Sequence, residues 1–507
     1  MGVILQLLSA LAHGGSQNVF YEGNIGPYAA RVIIQRPEVV PGLAEITVRL
    51  LQGEVDRVRV LPLKWNLGKR GGPTPDVAEP VRGESGLYSA RLWFMEGGSQ
   101  SVEVTLDGSA GEGAIQIPVA VMPTRVGTMP PGLGTVLVLL TIVLVILLLG
   151  IVRAAVRESV LPPGEVITRR RVWNARVAVV IAAVVVAGGL YGGRLWWEAE
   201  KNDYLNRRLY RPMPCDIEAR IENGQRIIRL ELAEQDIRRR SPIVPDHGKL
   251  MHLVLVSVPD QSVLAHLHPL KLNRRTFVVA LPDLPAGDYA VYGEVTYETG
   301  FSENIVGEVK LSGVLNEMQG GVGLERDPDD SWLVLGNPGQ ASPVDGRRIF
   351  DSSGGFSVEW LDARRLVAGR DLSLRFQVRD AGGQPVSLDP YLGMLGHVFI
   401  RTADGHLFTH LHPSGSYSMV SQQLFDLRAR GEAPITIDFQ TMEPTCEIPG
   451  VEESIAYWLG QKPAGSDHSI SFPWKFVDPG NYRVWFQFRS GAKVYTAVFD
   501  ADVLPPK

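Results

Sequence analysis

His397-Val-Phe-Ile-Arg-Thr-Ala-Asp-Gly-His-Leu-Phe-Thr-His-Leu-His412 decides how the C-terminal half of the chain folds. Two apolar runs flank Asp404-Gly405, a dipeptide that strongly favours a two-residue hairpin loop. With that loop, Ala403 pairs with His406, and counting outward sets His397 directly opposite His412. Side chains two apart on a strand share a face, so His410 joins them. Directly opposed Cβ atoms lie about 4.5–5.5 Å apart. Three imidazoles therefore converge on one face. A slip of one residue would send one strand's histidines to the other face.

The pattern occurs twice. His247-Gly-Lys-Leu-Met251-His252 precedes His266-Leu-His268-Pro269; the later copy reads Met394-Leu-Gly-His397, then His410-Leu-His412-Pro413. His252 and His397 are 145 positions apart, and the two His-x-His pairs 144. In the earlier copy a three-residue loop, Pro259-Asp260-Gln261, sets His252 opposite His268 with His266 on the same face. The chain has 10 histidines, and six of them fill these equivalent positions. A duplicated site follows: His252, His266 and His268 in one copy, His397, His410 and His412 in the other.

Imidazole is the commonest protein metal ligand, and three of them suit zinc, copper or nickel. The thioethers of Met251, Met394 and Met419 nearby favour copper over zinc, because soft sulfur selects Cu(I). Met251 would face the opposite side of a regular strand. The competing reading is structural: a strand-end histidine donates to a backbone carbonyl, and the following proline stops the strand. His406 and His468 have no repeat partner and read as surface residues.

Hydropathy divides the rest of the chain. Leu133 to Val152 is a run of 20 residues without a charge, long enough to cross a bilayer as a helix. Val177 to Gly193 is a second uncharged run of 17, flanked by Trp173, Trp196 and Trp197 as interfacial aromatics. The loop between them carries Arg153, Arg157, Arg169, Arg170 and Arg171, against Arg125 alone close before the first run. Positive charge stays cytoplasmic. The sequence thus predicts an inner-membrane protein with two spans and both large flanks extracytoplasmic. Residues 1–12 resemble a signal segment ending Ser-Ala-Leu-Ala, without a basic start. Cleavage there would expose the amine and imidazole of His13 as a copper chelate. Cys215 and Cys446 can pair in an oxidising compartment or stay separate.

The soluble parts read as all-β, in three immunoglobulin-like β-sandwich domains joined by a two-helix transmembrane hairpin. The expected organisation is an N-terminal sandwich over 13–128, two helices over 132–193, a first histidine sandwich over 213–312, a linker over 313–345 and a second histidine sandwich over 346–507. Alternation in Ala30-Arg-Val-Ile-Ile-Gln and Ala44-Glu-Ile-Thr-Val-Arg-Leu marks the N-terminal strands. Each histidine domain ends on a Pro/Gly turn leading into a strand: Pro285-Ala-Gly-Asp-Tyr289 and Pro479-Gly-Asn-Tyr482. The second carries an insertion, about 421–467.

On His247-Gly-Lys-Leu-Met-His252, Leu264-Ala-His-Leu-His-Pro269 and the Leu-Pro-Ala-Gly-Asp-Tyr run at 284–289, the C-terminal half resembles bacterial periplasmic YtkA-like and FixH-like β-sandwich domains. That resemblance implies a periplasmic location and an association with copper handling. The second copy has Leu392 where the first has His247, which separates His247 from the duplicated set.

The expected function is a membrane-anchored extracytoplasmic metal-binding protein for acquisition, delivery or tolerance of copper, or less readily zinc. Its partners would be membrane lipid and a protein that exchanges metal. The alternative is a structural or protein- or glycan-binding module with core histidines. An enzyme ranks third: the chain has no Gly-x-Ser-x-Gly, no His-Glu-x-x-His and no phosphate-cradling glycine loop. With a net charge of −5 and no basic patch, nothing points to nucleic acid.

Overall fold

The computed structural model describes residues 18–506 apart from 163, 235–240, 314–323, 336–342, 345–346, 352–354, 362, 364, 432–436, 439–442 and 445–467. The signal segment, His13 and Cys446 lie outside the described residues. The chain is mainly β and divides into two compact units: 122–210, and the remainder.

The smaller unit holds two helices, Pro131–Glu158 and Arg169–Asp203, both long and apolar enough to cross a membrane. At 1.5 Å per residue each exceeds the roughly 30 Å of a hydrocarbon core. Pro131 opens the first helix, where a missing N–H costs nothing. The hydroxyl of Thr168 caps the second, accepting from the Arg171 amide.

The larger unit begins with strands β1 (Asn18–Ile25), β2 (Tyr28–Gln35), β3 (Gly42–Leu50), β4 (Arg57–Lys64), β5 (Asp76–Val77), β6 (Glu79–Pro80), β7 (Leu87–Phe94), β8 (Gly98–Gly108) and β9 (Gly111–Val121). They form two sheets, β1-β2-β3-β7-β6 and β5-β4-β8-β9, closed over one core that includes Val32, Ile46, Val60, Val104 and Ile117.

Next come β10 (Cys215–Glu222), β11 (Gln225–Leu232), β12 (Ile243–Val244), β13 (His252–Val258), β14 (Val263–Leu267), β15 (Leu270–Lys271), β16 (Thr276–Ala280), β17 (Gly287–Tyr297), β18 (Ser302–Leu311) and β19 (Ser331–Val334). Sheet β10-β11-β16-β15 covers one face of sheet β12-β17-β13-β14-β19, and β18 extends the latter beside β17. The segment 313–345, expected to be a linker, supplies β19. Ser331 pairs with His266 and Val334 with Val263. Its Gly, Asp and Pro content hid a strand of four residues.

The last part contains β20 (Pro343–Val344), β21 (Arg347–Asp351), β22 (Ser357–Trp360), β23 (Leu366–Val367), β24 (Asp371–Arg379), β25 (His397–Thr402), β26 (Phe408–Leu411), β27 (Ile437–Asp438), β28 (Glu443–Pro444), β29 (Ser469–Lys475), β30 (Gly480–Ser490) and β31 (Lys493–Leu504). Sheets β20-β21-β22-β24-β29 and β23-β31-β30-β25-β26 enclose a core rich in Trp360, Phe376, Trp474 and Phe486. The helix Met419–Arg430 occupies the start of the insertion, capped by Ser418 and ended by Gly431 in the left-handed region, φ 74°.

The inner strands are buried on both faces. In β13, Leu253 and Leu255 enter the core of their own sandwich, while Val254 and Val256 point the other way into a separate cluster. In β25, Val398 and Ile400 likewise face inward and Phe399 outward. The outward cluster joins Val254, Val256, Leu264, Ala290 and Tyr292 of one sandwich to Phe399, Phe408, Trp485 and Val498 of the other. The two histidine sandwiches therefore stack face to face as four β layers. Tyr292 and Phe408 stack with centroids 3.9 Å apart and planes at 9°, and the buried Arg401 donates to the Tyr292 hydroxyl at 2.9 Å.

This interface sets a test. Phe408→Ala removes the stacked ring from a buried position (3% exposed), and large-to-small core changes of this kind cost about 3–5 kcal/mol. Urea unfolding of the full chain in detergent, followed by tryptophan fluorescence, should show a loss of that size. A loss under about 1 kcal/mol would mean that the sandwiches do not depend on each other.

Candidate metal centre

The outward face of the inner strands is apolar at one end and imidazole at the other. β13 and β14 pair with Val254 opposite His266 and Leu253 opposite Leu267, and the same register continued brings His252 opposite His268. β25 and β26 pair with Phe399 opposite His410 and Val398 opposite Leu411, which brings His397 opposite His412. Both registers are those the hairpin loops predict. The ligand nitrogens of His252, His266 and His268 lie within 4.8 Å of one another, as do those of His397, His410 and His412. Each triad can hold a metal ion.

The partners of the outer ring nitrogens fix which tautomer each histidine adopts; the protons are assigned from those partners. The Nε2–H of His252 donates to the Asp246 carbonyl at 3.2 Å, and that of His397 to the Tyr391 carbonyl at 3.1 Å. The Nδ1–H of His266 donates to Gln487 Oε1 at 3.1 Å, and that of His410 to Glu294 Oε2 at 2.9 Å. His268 Nδ1–H donates to Asp330 Oδ1 at 3.0 Å, and His412 Nδ1–H to the Tyr417 carbonyl at 3.2 Å. A neutral imidazole has one proton, so the other nitrogen of each ring presents a lone pair. These six lone pairs point inward.

The consequence is a pair of contacts that a core histidine would avoid. His252 Nδ1 faces His266 Nε2 at 3.2 Å, and His397 Nδ1 faces His410 Nε2 at 3.0 Å. With both protons held outside, each pair sets lone pair against lone pair. His268 Nε2 and His412 Nε2 are buried with no hydrogen-bond partner. A cation in each triad would resolve all of these: two nitrogens on a tetrahedral ion at about 2.0–2.1 Å lie about 3.3 Å apart. Outer acceptors that orient a ligand histidine are a regular part of metal sites.

The sandwiches exchange these acceptors. Glu294 on β17 lies across from His252 in its own sheet but accepts from His410 of the other sandwich. Gln487 on β30 lies across from His397 but accepts from His266. Gln487 is itself oriented by donating to Ser331 at 3.0 Å and Thr496 at 3.1 Å. The carbonyls that receive His252 and His397 come from two matching turns, Asp246–Lys249 and Tyr391–Met394, each closed by reciprocal backbone hydrogen bonds.

The N-terminal sandwich clamps the third turn. His412 and Gly415 bond each other through their backbones, and β1 runs alongside, with the Glu22 amide donating to the Ser414 carbonyl at 2.9 Å and the Phe20 amide to Ser416 Oγ at 3.1 Å. A Cβ at Gly415 would meet the Phe20 carbonyl oxygen at 1.8 Å, so the close approach requires glycine. On the other side, Asp246 Oδ1 accepts from the Val420 amide in the first turn of the helix Met419–Arg430, at 3.0 Å.

Burial first, then neighbouring imidazoles, holds His266, His268, His397 and His412 well below the ordinary histidine value. The same causes hold His410 well below it, and burial lowers His252. Neutral imidazoles are the form a metal needs. Burial raises Glu294, and it pushes Asp330 up to about 7.

All six expected ligands thus come together. Three orienting residues, Glu294, Gln487 and Asp330, were absent from the sequence expectation. A signal existed for two: each is an isolated polar residue in an otherwise apolar run, Tyr289-Ala-Val-Tyr-Gly-Glu-Val and Val484-Trp-Phe-Gln-Phe. Asp330 sits in the stretch taken for a linker. Met251 packs in the core on the opposite face, away from the triad, and Met419 Sδ accepts from Ser414 Oγ at 3.6 Å. His406 is exposed, as expected, with Nδ1 donating to Asp404 Oδ1 at 2.6 Å. His468 is exposed too.

Residues 351–448 match the model of a domain of unknown function, DUF8832. No curated protein matches the chain. Among solved structures, the chain is similar to dimeric latent PorU from Porphyromonas gingivalis at 9% identity, covering 98% of this chain and 34% of that one, with TM-score 0.14. It is similar to an endo-fucoidan hydrolase of glycoside hydrolase family 107 at 9% identity, covering 93% and 43%, TM-score 0.15. A third is the BSP domain of a biofilm-associated protein, at 8% identity, 97% and 82%, TM-score 0.12. The chain spans about a third of the first structure's length and under half of the second's. Likeness at this level carries no inference about activity.

The depressed imidazoles make stability pH-dependent in the metal-free protein. The unfolded chain binds protons on these histidines below about pH 6.5 while the folded chain does not. Stability is therefore full above that value and falls as pH drops. Glu294 and Asp330 act in the opposite sense, but they are two against six. Each uncompensated imidazole is worth about 1.4 kcal/mol per pH unit. Denaturant unfolding at pH 7.5 and 5.5 should show a loss of several kcal/mol at the lower value. Equal stability at both would mean that the rings are not held neutral.

Proposed function

We propose that the chain is a membrane-anchored, extracytoplasmic metal-binding protein, with copper as its metal and acquisition, delivery or tolerance as its role. The observation that carries the metal reading is the inward convergence of lone pairs, three per triad, with every proton held by an outer acceptor. An all-imidazole donor set suits copper and zinc alike, and among divalent ions affinity for nitrogen ligands peaks at copper. The resemblance to periplasmic domains of copper handling points the same way. The two membrane-length helices and the arginines between them support an inner-membrane anchor with the β domains outside. Immunoglobulin-like connectivity of the three sandwiches belongs to the same reading.

Burial shapes how such a protein would work. All six ligand histidines are at most 9% exposed, so metal exchange with a partner needs the stacked sandwiches to part at their imidazole end. The mechanism is ligand exchange, with no organic bond made or broken.

The test uses the full chain in detergent, equilibrated with Cu(I), Cu(II) or Zn(II), freed of loose metal and assayed for bound ions. The wild type should retain two ions, and His268→Ala and His412→Ala should each lose one. Absence of bound metal, with a lower melting temperature in both variants, would instead support a structural role for the histidines.

A further inference from the structure

The triads are neighbours. His410 of the second sandwich lies 5.9 Å, centroid to centroid, from both His252 and His266 of the first, and His397 lies 6.3 Å from His266. Separations inside the triads run from 4.5 to 5.4 Å. The gap between the triads is therefore barely wider than the gaps within them. Sequence reasoning assigned one site to each module; the stacking of the modules merges the two.

A seventh imidazole stands in this merged space. His247 belongs to the first sandwich, yet its ring lies 5.1 Å from that of His412 and 6.0 Å from that of His397, both in the second. It is also 6.0 Å from His252. The side chain is 4% exposed, and its Nε2 is buried without a hydrogen-bond partner, the Asp246 Oδ1 atom being 3.7 Å away. Its backbone is left-handed, φ 53°, and Gly248 follows at φ 81°, as the two central positions of a type I′ turn require. Two contacts hold the turn in place: Asp246 anchors it to the helix Met419–Arg430, and it abuts the matching turn at Gly393, whose ideal Cβ would come 3.2 Å from His247 Nδ1.

The matching turn breaks the symmetry. Leu392 occupies the place equivalent to His247, also left-handed at φ 49°, and offers no donor atom. The backbone is duplicated; the ligand is not.

We infer that the seven histidines form one two-ion centre of unequal halves. His247 supplies a fourth imidazole, across the interface, to the ion held by His397, His410 and His412. The ion on His252, His266 and His268 keeps three protein ligands and an open position. A site closed by four protein ligands retains its ion, whereas a three-ligand site with an open position accepts water or another small ligand. The closed ion would fasten the sandwiches together, and the open ion would be the one that exchanges. This inference rests on the metal-binding reading above.

The experiment compares ion affinities in the full chain, titrated with Zn(II) and with Cu(I) against competing chelators. His247→Asn removes the imidazole but keeps a residue that tolerates the left-handed backbone. It should weaken the ion that His412→Ala abolishes by about tenfold or more, the scale on which ligand-sphere changes act. The ion that His268→Ala abolishes should stay within about twofold. Leu392→His, an independent variant, should tighten that second ion by filling its open position. Two bound ions with neither affinity altered by His247→Asn, or with the His268-dependent ion altered instead, would overturn the inference and leave the metal reading intact. A wild type that binds no ion would remove both.

Discussion

Everything at this centre depends on where six protons sit. Each histidine of the two triads donates its only N–H outward, to a carbonyl, a carboxylate or an amide oxygen that other contacts hold in place. The second nitrogen is then obliged to present a lone pair to the interior. Inside a buried space that arrangement is unfavourable by itself, because unpaired polar atoms cost free energy away from water. In His252–His266 and His397–His410 the cost is compounded by two lone pairs at 3.2 and 3.0 Å. A bound cation converts both costs into bonds. The fold thus stores a demand for positive charge at a defined place.

The layering explains how such a place arises. A hairpin of an ordinary sandwich buries one face and leaves the other to solvent. Here the second face is also buried, because two sandwiches use their outward faces to cover each other. One end of the shared face is filled by Val254, Val256, Phe399, Phe408 and Trp485, the other by imidazoles. The same pairing exchanges Glu294 and Gln487 between the sandwiches, so each half of the centre is oriented by the other. β1 of the N-terminal sandwich and the helix Met419–Arg430 hold the flanking turns. The centre is a property of the assembled unit, not of any single module.

Much of this was legible in the sequence, for reasons that can be stated residue by residue. The Asp404-Gly405 and Pro259-Asp260-Gln261 loops set the two registers, and register alone placed three histidines on one face in each copy. The membrane-length helices followed from the uncharged runs. The stacking was not foreseen, although β13 carries its trace: His252-Leu-Val-Leu-Val is apolar on both faces, which a half-exposed strand would not be. Asp330 was missed because a four-residue strand beside Asp and Pro looks like a loop. Met251 lies in the opposite core, as the pleat of a regular strand requires. His247 could not be placed from sequence, since its neighbours, His412 and His397, belong to the other sandwich.

The most direct test of the central claim is the X-ray absorption spectrum of the copper-loaded or zinc-loaded full chain. Converging imidazoles predict a first shell of three to four nitrogens at about 2.0–2.1 Å, with the outer-shell scattering of rigid imidazole rings. A spectrum of oxygen neighbours without ring scattering, as from a hydrated ion held at the surface, would contradict the account.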